Sequence, residues 1–294
     1  MRDRHVVITG ATGFLGSHVL RQLLAAGATV TALVRHVGQL PEHACLYPVA
    51  ADLAGDFSAS LARIGNCDDV VHLAQTSGWS AFPAKAGMLA SVAVAATTRL
   101  AEHAAATGAR RFVLASSGGI YGPSTRPICE DEPYQPSAEL GFYLASKVAA
   151  EMLVAYFSPY LTVHRLRYFF IYGPGQREEF LIPRMVRSVR CGTPVRLARG
   201  RGPRLNPIYV EDAARATVAC LRLETPLVAN IAGPEVANLA AIVETIGRIV
   251  ACTPVCEAFD ADPQDYVAET TVMDGVLGKA VMPLAAGLAA AASS

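Results

Sequence analysis

Short apolar runs alternate with longer stretches of helical periodicity through the first half of the chain. His5–Thr9 (HVVIT) predicts a strand, followed by a glycine turn and a helix from about Phe14 to Ala26. Thr29–Val34, Cys45–Ala50 and Asp69–Leu73 predict three more strands, and an Ala-rich helix covers about Met88 to Thr107. Arg111–Ser116 is a fifth strand, Tyr143–Phe157 a helix and Leu161–Leu166 a sixth strand. These strands are apolar along their length, without in–out alternation, as parallel strands covered on both faces must be. The pattern predicts an α/β fold built on a doubly wound parallel sheet, the Rossmann arrangement.

After Tyr172-Gly-Pro-Gly175 the rhythm changes. Helices are expected at Glu178–Arg190, Glu211–Leu223 and Asn238–Val250, with short strands near Pro194–Leu197 and Leu227–Ala232 and a Gly/Arg-rich loop at Arg199–Pro203. The expected organisation is a dinucleotide-binding core over 1–172. A small α/β substrate-binding cap over 173–294 is interleaved with the last strands of the core. The Ala-rich tail after Pro283 reads as a final helix.

Composition narrows the class. With 294 residues, 52% hydrophobic and 17% charged, the chain is neither disordered nor a fibrous repeat. Lys plus Arg and Asp plus Glu are each 25, which argues against a nucleic-acid partner. No apolar run approaches the ~20 residues needed to cross a bilayer, so no membrane is expected. The first strand begins too early to leave room for a signal peptide. The seven scattered cysteines form no zinc set, so no metal is expected and they read as free thiols. Together these features predict a cytoplasmic protein.

Gly10-Ala-Thr12-Gly13-Phe14-Leu15-Gly16 lies between the first strand and the first helix. Gly10 suits the tight turn, Gly13 a close approach of backbone to pyrophosphate, and Gly16 helix–strand packing. Backbone N–H groups at the helix start would face the anion, with Thr12 in the turn and Phe14 and Leu15 packing under the helix start. The second strand ends in Val34 and Arg35, where an NAD-selective site places an acid for the ribose 2′-hydroxyl. A guanidinium suits a 2′-phosphate instead, so NADP(H) is preferred and NAD(H) possible. Asp52 and Leu53, after the third strand, are placed to meet the adenine edge.

Tyr143-Leu-Ala-Ser-Lys147 puts a phenol and an ammonium on one helix face. A neighbouring cation and a cationic nicotinamide would stabilise the phenolate of a group that ordinarily titrates near 10. Ser116 and Ser117 end the fifth strand, where ligands bind in such sheets.

The chain resembles the extended short-chain dehydrogenase/reductases, the NAD(P)-dependent epimerase/dehydratase family. The resemblance runs through GATGFLG, HLAQ at His72–Gln75, SSGGIYG, YLASK, RYFFIYGPG at Arg167–Gly175 and NPIYVEDAARA at Asn206–Ala216. NIAGPE at Asn230–Glu235 and the closing GVLGKAVMPLAAGL extend it. It implies that Ser117 binds the substrate oxygen, Tyr143 is the general acid/base, and Lys147 holds the nicotinamide ribose. It also implies that Leu73 and Ala74 line the adenosine ribose and pyrophosphate, that Ser116 supports Ser117, and that the protein is a homodimer.

Three departures concern the substrate. Phe170 stands where many nucleotide-sugar members carry Asn. Ser91 or Ala93 replaces the usual Asn of the fourth helix, and Arg204 lies one residue early, although with Arg199 and Arg201 it could clamp phosphates. Dehydratases of the family carry acids where this chain has Gly118 and Gly119. The expectation is an NADP(H)-dependent ketoreductase acting on a keto-sugar nucleotide or related keto-hexose. A nucleotide-sugar epimerase with retained NAD and a ketoreductase for a non-sugar substrate are the alternatives. A dinucleotide sensor without activity would not need Ser117, Tyr143 and Lys147 together.

Overall fold

The computed structural model describes residues 1–76 and 82–293. Six strands follow in chain order: β1 (His5–Thr9), β2 (Thr29–Val34), β3 (Leu46–Ala50), β4 (Asp69–His72), β5 (Arg111–Ser117) and β6 (Thr162–Tyr168). With the strand Leu227–Ile231 they form a seven-stranded sheet in the order Leu227–Ile231, β6, β5, β4, β1, β2, β3. Pairing is parallel from β3 through to β5, with Val7 registered against Thr31 on one side and Val70 on the other. This is the predicted doubly wound sheet. Its order reverses between β1 and β4, and the crevice beyond that switch point is where such sheets bind ligands.

The helices of the sheet are α1 (Phe14–Ala25), α2 (Ser58–Ile64), α3 (Ala86–Ala90), α4 (Ala96–Ala106) and α5 (Ser137–Ala155). The long helix expected from Met88 is interrupted: a π turn over Ser91–Ala95 joins α3 to α4. The backbone surplus of this turn is taken up locally, since Thr97 and Thr98 donate their hydroxyls to the carbonyls of Ala93 and Val94 at 2.7 and 3.0 Å. Helix α5 begins earlier than expected but bends at Gly141, whose φ of 67° breaks the helical path. Tyr143 therefore stands in the first turn beyond the bend. Leu100, Ala101 and Ala104 of α4 and Ala150 and Val154 of α5 join β1, β4 and β5 in one buried cluster.

The chain divides into two units, Met1–Ile120 with Tyr134–Arg167 and Ala214–Ala229, and Tyr121–Pro133 with Tyr168–Ala213 and Asn230–Ser294. The chain passes between the two units several times along its length. The second unit has its own core, in which Ile182, Met185 and Val189 meet Ile242, Val243, Ile246 and Leu288. Sequence reading missed α2, the strand Cys256–Phe259 and the helix Thr271–Val276, all short and without a periodic signal. No helix among the described residues is long and apolar enough to cross a membrane.

Candidate active site

The glycine turn follows β1 and has no space for side chains at its two critical positions. Gly10 has φ +73°, and a Cβ there would stand 2.8 Å from the Ala74 nitrogen. A Cβ on Gly16 would stand 1.9 Å from the Gly10 carbonyl oxygen. Gly13 closes the turn with an N–H bond to that same oxygen at 2.9 Å and precedes α1 without a side-chain cap or an acid in the first turn. A helix start left to backbone N–H groups alone, reached over bare glycine, fits a dinucleotide pyrophosphate.

The other expected cofactor residues are placed as follows. Thr12 is exposed in the turn, and Leu73 and Ala74 are half-buried beside Gly10. Phe14 and Leu15 open α1. Both are half-buried, because the buried stripe of α1 is Gly16, Val19, Leu20 and Leu23. Val34 is buried and Arg35 exposed at the end of β2. Asp52 is exposed and organises its own turn, accepting the Ala54 N–H at 3.1 Å. Leu53, by contrast, belongs to the core beside Phe57 and Leu61.

The side chains expected to carry the chemistry, Ser117, Tyr143 and Lys147, sit at the end of β5 and on α5. Ser117 accepts the Gly119 N–H on its Oγ at 3.1 Å, which leaves the hydroxyl proton to donate to a substrate oxygen. Lys147 is buried and donates from Nζ to the Ala115 carbonyl at 2.9 Å. Burial pushes its ammonium down to about 8, opposed by the charge of Glu151 one turn on. Glu151 is itself held by Arg167 at 2.8 Å and by the Tyr134 hydroxyl at 3.1 Å.

Tyr143 donates its hydroxyl to Gln75 Oε1 at 3.0 Å. Burial holds this phenol above its ordinary range, with the Gln75 bond acting the other way. The expected lowering by Lys147 is not what the chain's own residues produce. Nζ lies 6.0 Å from the ring centre, and burial is the main cause of the upward shift. Ala74, Gln75, Val92, Ala93, Tyr143 and Lys147 line one small cavity. Ser116 is buried, and its Oγ has no partner among the described residues.

Of the two substrate candidates in the second unit, Phe170 has φ +45° and meets Tyr266 edge to face. Left-handed backbone is where Asn is favoured and a bulky residue is strained, a local reason for Asn in the family at this position. Arg204 is committed within its own unit: Nε and the backbone N–H both donate to Asp265 at 2.7 Å. Arg199 pairs with Asp262 at 2.9 Å. Sequence reading assigned no role to Gln75 or Ala115, because the motif does not show which side chain or carbonyl faces α5.

A parallel sheet of this order, a bare glycine cradle and a Ser–Tyr–Lys set define a dinucleotide-dependent enzyme of the dehydrogenase/reductase class. The sequence pattern of the NAD dependent epimerase/dehydratase family matches residues 6–232, and the chain belongs to that family. It is similar to a dTDP-glucose 4,6-dehydratase of Streptomyces griseus, 30% identical over 306 residues, covering 97% of this chain and 92% of the relative. It is also similar to a UDP-N-acetyl-alpha-D-glucosaminuronate decarboxylase of Bacillus cytotoxicus, 30% identical over 234 residues and covering 74% and 71%. A solved structure of MoeE5 in complex with UDP-glucuronic acid and NAD superimposes with a TM-score of 0.84 at 30% identity, covering 98% of each chain. The Rossmann fold and the NAD(P)-dependent enzyme class expected from sequence are thereby established.

Proposed function

We propose that the protein is an NADP(H)-dependent reductase of a keto-sugar nucleotide or related keto-hexose, of the 4-ketoreductase type. When bound, the dinucleotide supplies the hydride and, once oxidised, a positive ring beside the phenol. Ser117 donates to the substrate carbonyl oxygen and fixes its orientation. Tyr143 then gives that oxygen its proton as charge builds on it, and Lys147 stabilises the phenolate left behind. The packing at Gly119 argues against dehydration. A Cβ there would lie 3.1 Å from the Leu144 side chain, so the acid a dehydratase needs would have to displace it.

The observation that carries the cofactor choice is the end of β2, where a buried Val34 replaces the acid and the exposed Arg35 follows. NADPH is expected to bind at least tenfold more tightly than NADH, about 1.4 kcal/mol. Arg35→Asp should invert the order, because its carboxylate accepts from a 2′-hydroxyl and repels a 2′-phosphate. Titration of both dinucleotides into both proteins checks this. Equal affinities in the wild type would reduce Arg35 to a surface base.

The second reading is an epimerase with retained NAD, favoured by the NAD and sugar nucleotide held together in MoeE5. A homodimer and a cytoplasmic location belong to the same proposal. Exposed Met152, Leu153 and Tyr156, with Met88 on α3, offer apolar surface for a second copy. Sedimentation equilibrium and cell fractionation decide these two points, a monomer or a secreted protein being the contrary results.

A further inference from the structure

We infer that Gln75 is a positioning residue for Tyr143, holding its hydroxyl as a phenol and turning its amide to donate to it as a phenolate. The inference rests on Tyr143 being the proton carrier of the proposed reaction. Gln75 lies just beyond β4, and the chain leading to it is fixed. The N–H of Leu73 bonds the Thr9 carbonyl at 3.3 Å, and the N–H of Ala74 bonds Thr9 Oγ1 at 3.2 Å. Thr9 Oγ1 and His72 Nδ1 are 2.6 Å apart, while the imidazole also bonds the Val92 backbone in the π turn. Burial, then the charge of Lys147, pushes His72 down to about 3, so the ring stays neutral and Nδ1 accepts from Thr9. Gly10 faces this segment so closely that a Cβ on it would stand 2.8 Å from the Ala74 nitrogen and the Leu73 carbonyl carbon.

From this anchored position Gln75 Oε1 accepts from the Tyr143 hydroxyl at 3.0 Å. A primary amide carries both an acceptor and two donors on a torsion that is broad and two-fold. A half-turn exchanges Oε1 for the Nε2 hydrogens without moving the backbone. The same side chain can therefore serve the tyrosine before and after proton release. Among the described residues, Lys147 and Glu151 stand on α5, where the Glu151 charge acts on Lys147, and Lys147 in turn acts on neutral His72 of β4. Lys147 donates to Ala115 and acts on the ring only across 6.0 Å.

The test uses the enzyme loaded with oxidised dinucleotide, following tyrosinate absorbance against pH and subtracting the Tyr143→Phe protein to isolate one ring. Gln75→Glu can still accept from the phenol but cannot donate to the phenolate. It should move the ionisation alkaline by about one pH unit or more. Gln75→Leu should move it the same way by less. In each variant the alkaline limb of the kcat/KM profile should move with the spectrum, with dinucleotide affinity within about twofold. Gln75 is exposed, so neither change removes core packing. An ionisation that stays at its wild-type position in both variants overturns the assignment, as does a lowered Tm with an unmoved limb. Failure of the reductase reading would show separately, as no net consumption of NADPH by the wild type while the spectral shift remained.

Discussion

Tyr143→Phe should lower kcat by roughly 10²–10⁴, the range of a lost general acid–base group, while the dinucleotide Kd stays within about twofold. The ring remains, so the packing of α5 beyond the Gly141 bend is preserved and only the hydroxyl bonded to Gln75 is lost. Burial holds this phenol high, so the enzyme's own residues keep it protonated through the neutral range and ready to give a proton. The measurement is steady-state kinetics beside a dinucleotide titration. A Tyr143→Phe protein turning over at the wild-type rate would take Tyr143 out of the mechanism.

Lys147→Met should abolish turnover and weaken dinucleotide binding, yet stabilise the ligand-free protein at pH 7. Burial pushes the folded-state pKa from 10.5 to about 8. Between those values the unfolded chain binds the proton and the folded chain does not, so stability rises with pH across that window. Below about 8 both states are protonated, and the folded state carries the full cost of a buried ammonium. Met removes that cost while filling similar space. Loss of the bond to Ala115 offsets part of the gain, leaving about 1–3 kcal/mol at neutral pH. Denaturant unfolding from pH 7 to 10.5 checks the sign: the wild type should gain stability with pH and approach the variant. A Lys147→Met protein less stable than wild type at pH 7 would show that the ammonium stabilises the fold.

Much of this was legible in the chain because the relevant signals are local. Apolar runs such as HVVIT and TVTALV coincide with β1 and β2 residue for residue, since parallel strands covered on both faces admit only such runs. Gly13 and Gly16 answer to contacts within the turn itself and Gly10 to its positive φ, with Leu73 and Ala74 close by, while Y-x-x-x-K follows helix geometry. What escaped was set by tertiary partners. The π turn is supported by His72 from β4 and by Thr97 and Thr98, which no window of helical periodicity reports. Gln75 meets Tyr143 across 68 residues of chain. Phe14 and Leu15 open α1 half-buried, while its buried stripe is Gly16, Val19, Leu20 and Leu23. Arg204 bonds Asp265, a partner 61 residues away that no local pattern reveals.

Net reduction with an exchangeable NADP(H) and an internal redox cycle on retained NAD make opposite demands on the cofactor site. An epimerase must keep its dinucleotide through the cycle, whereas a reductase must exchange it at every turnover. Candidate 4-keto-sugar nucleotides should be presented to the purified enzyme with NADPH, following absorbance at the reduced-nicotinamide band beside product formation. The dinucleotide content of the denatured protein is assayed in parallel. One NADPH consumed per product, from a protein largely free of bound dinucleotide, is the predicted result. Stoichiometric bound NAD, with turnover of a sugar nucleotide needing no added cofactor, would contradict it and establish the epimerase.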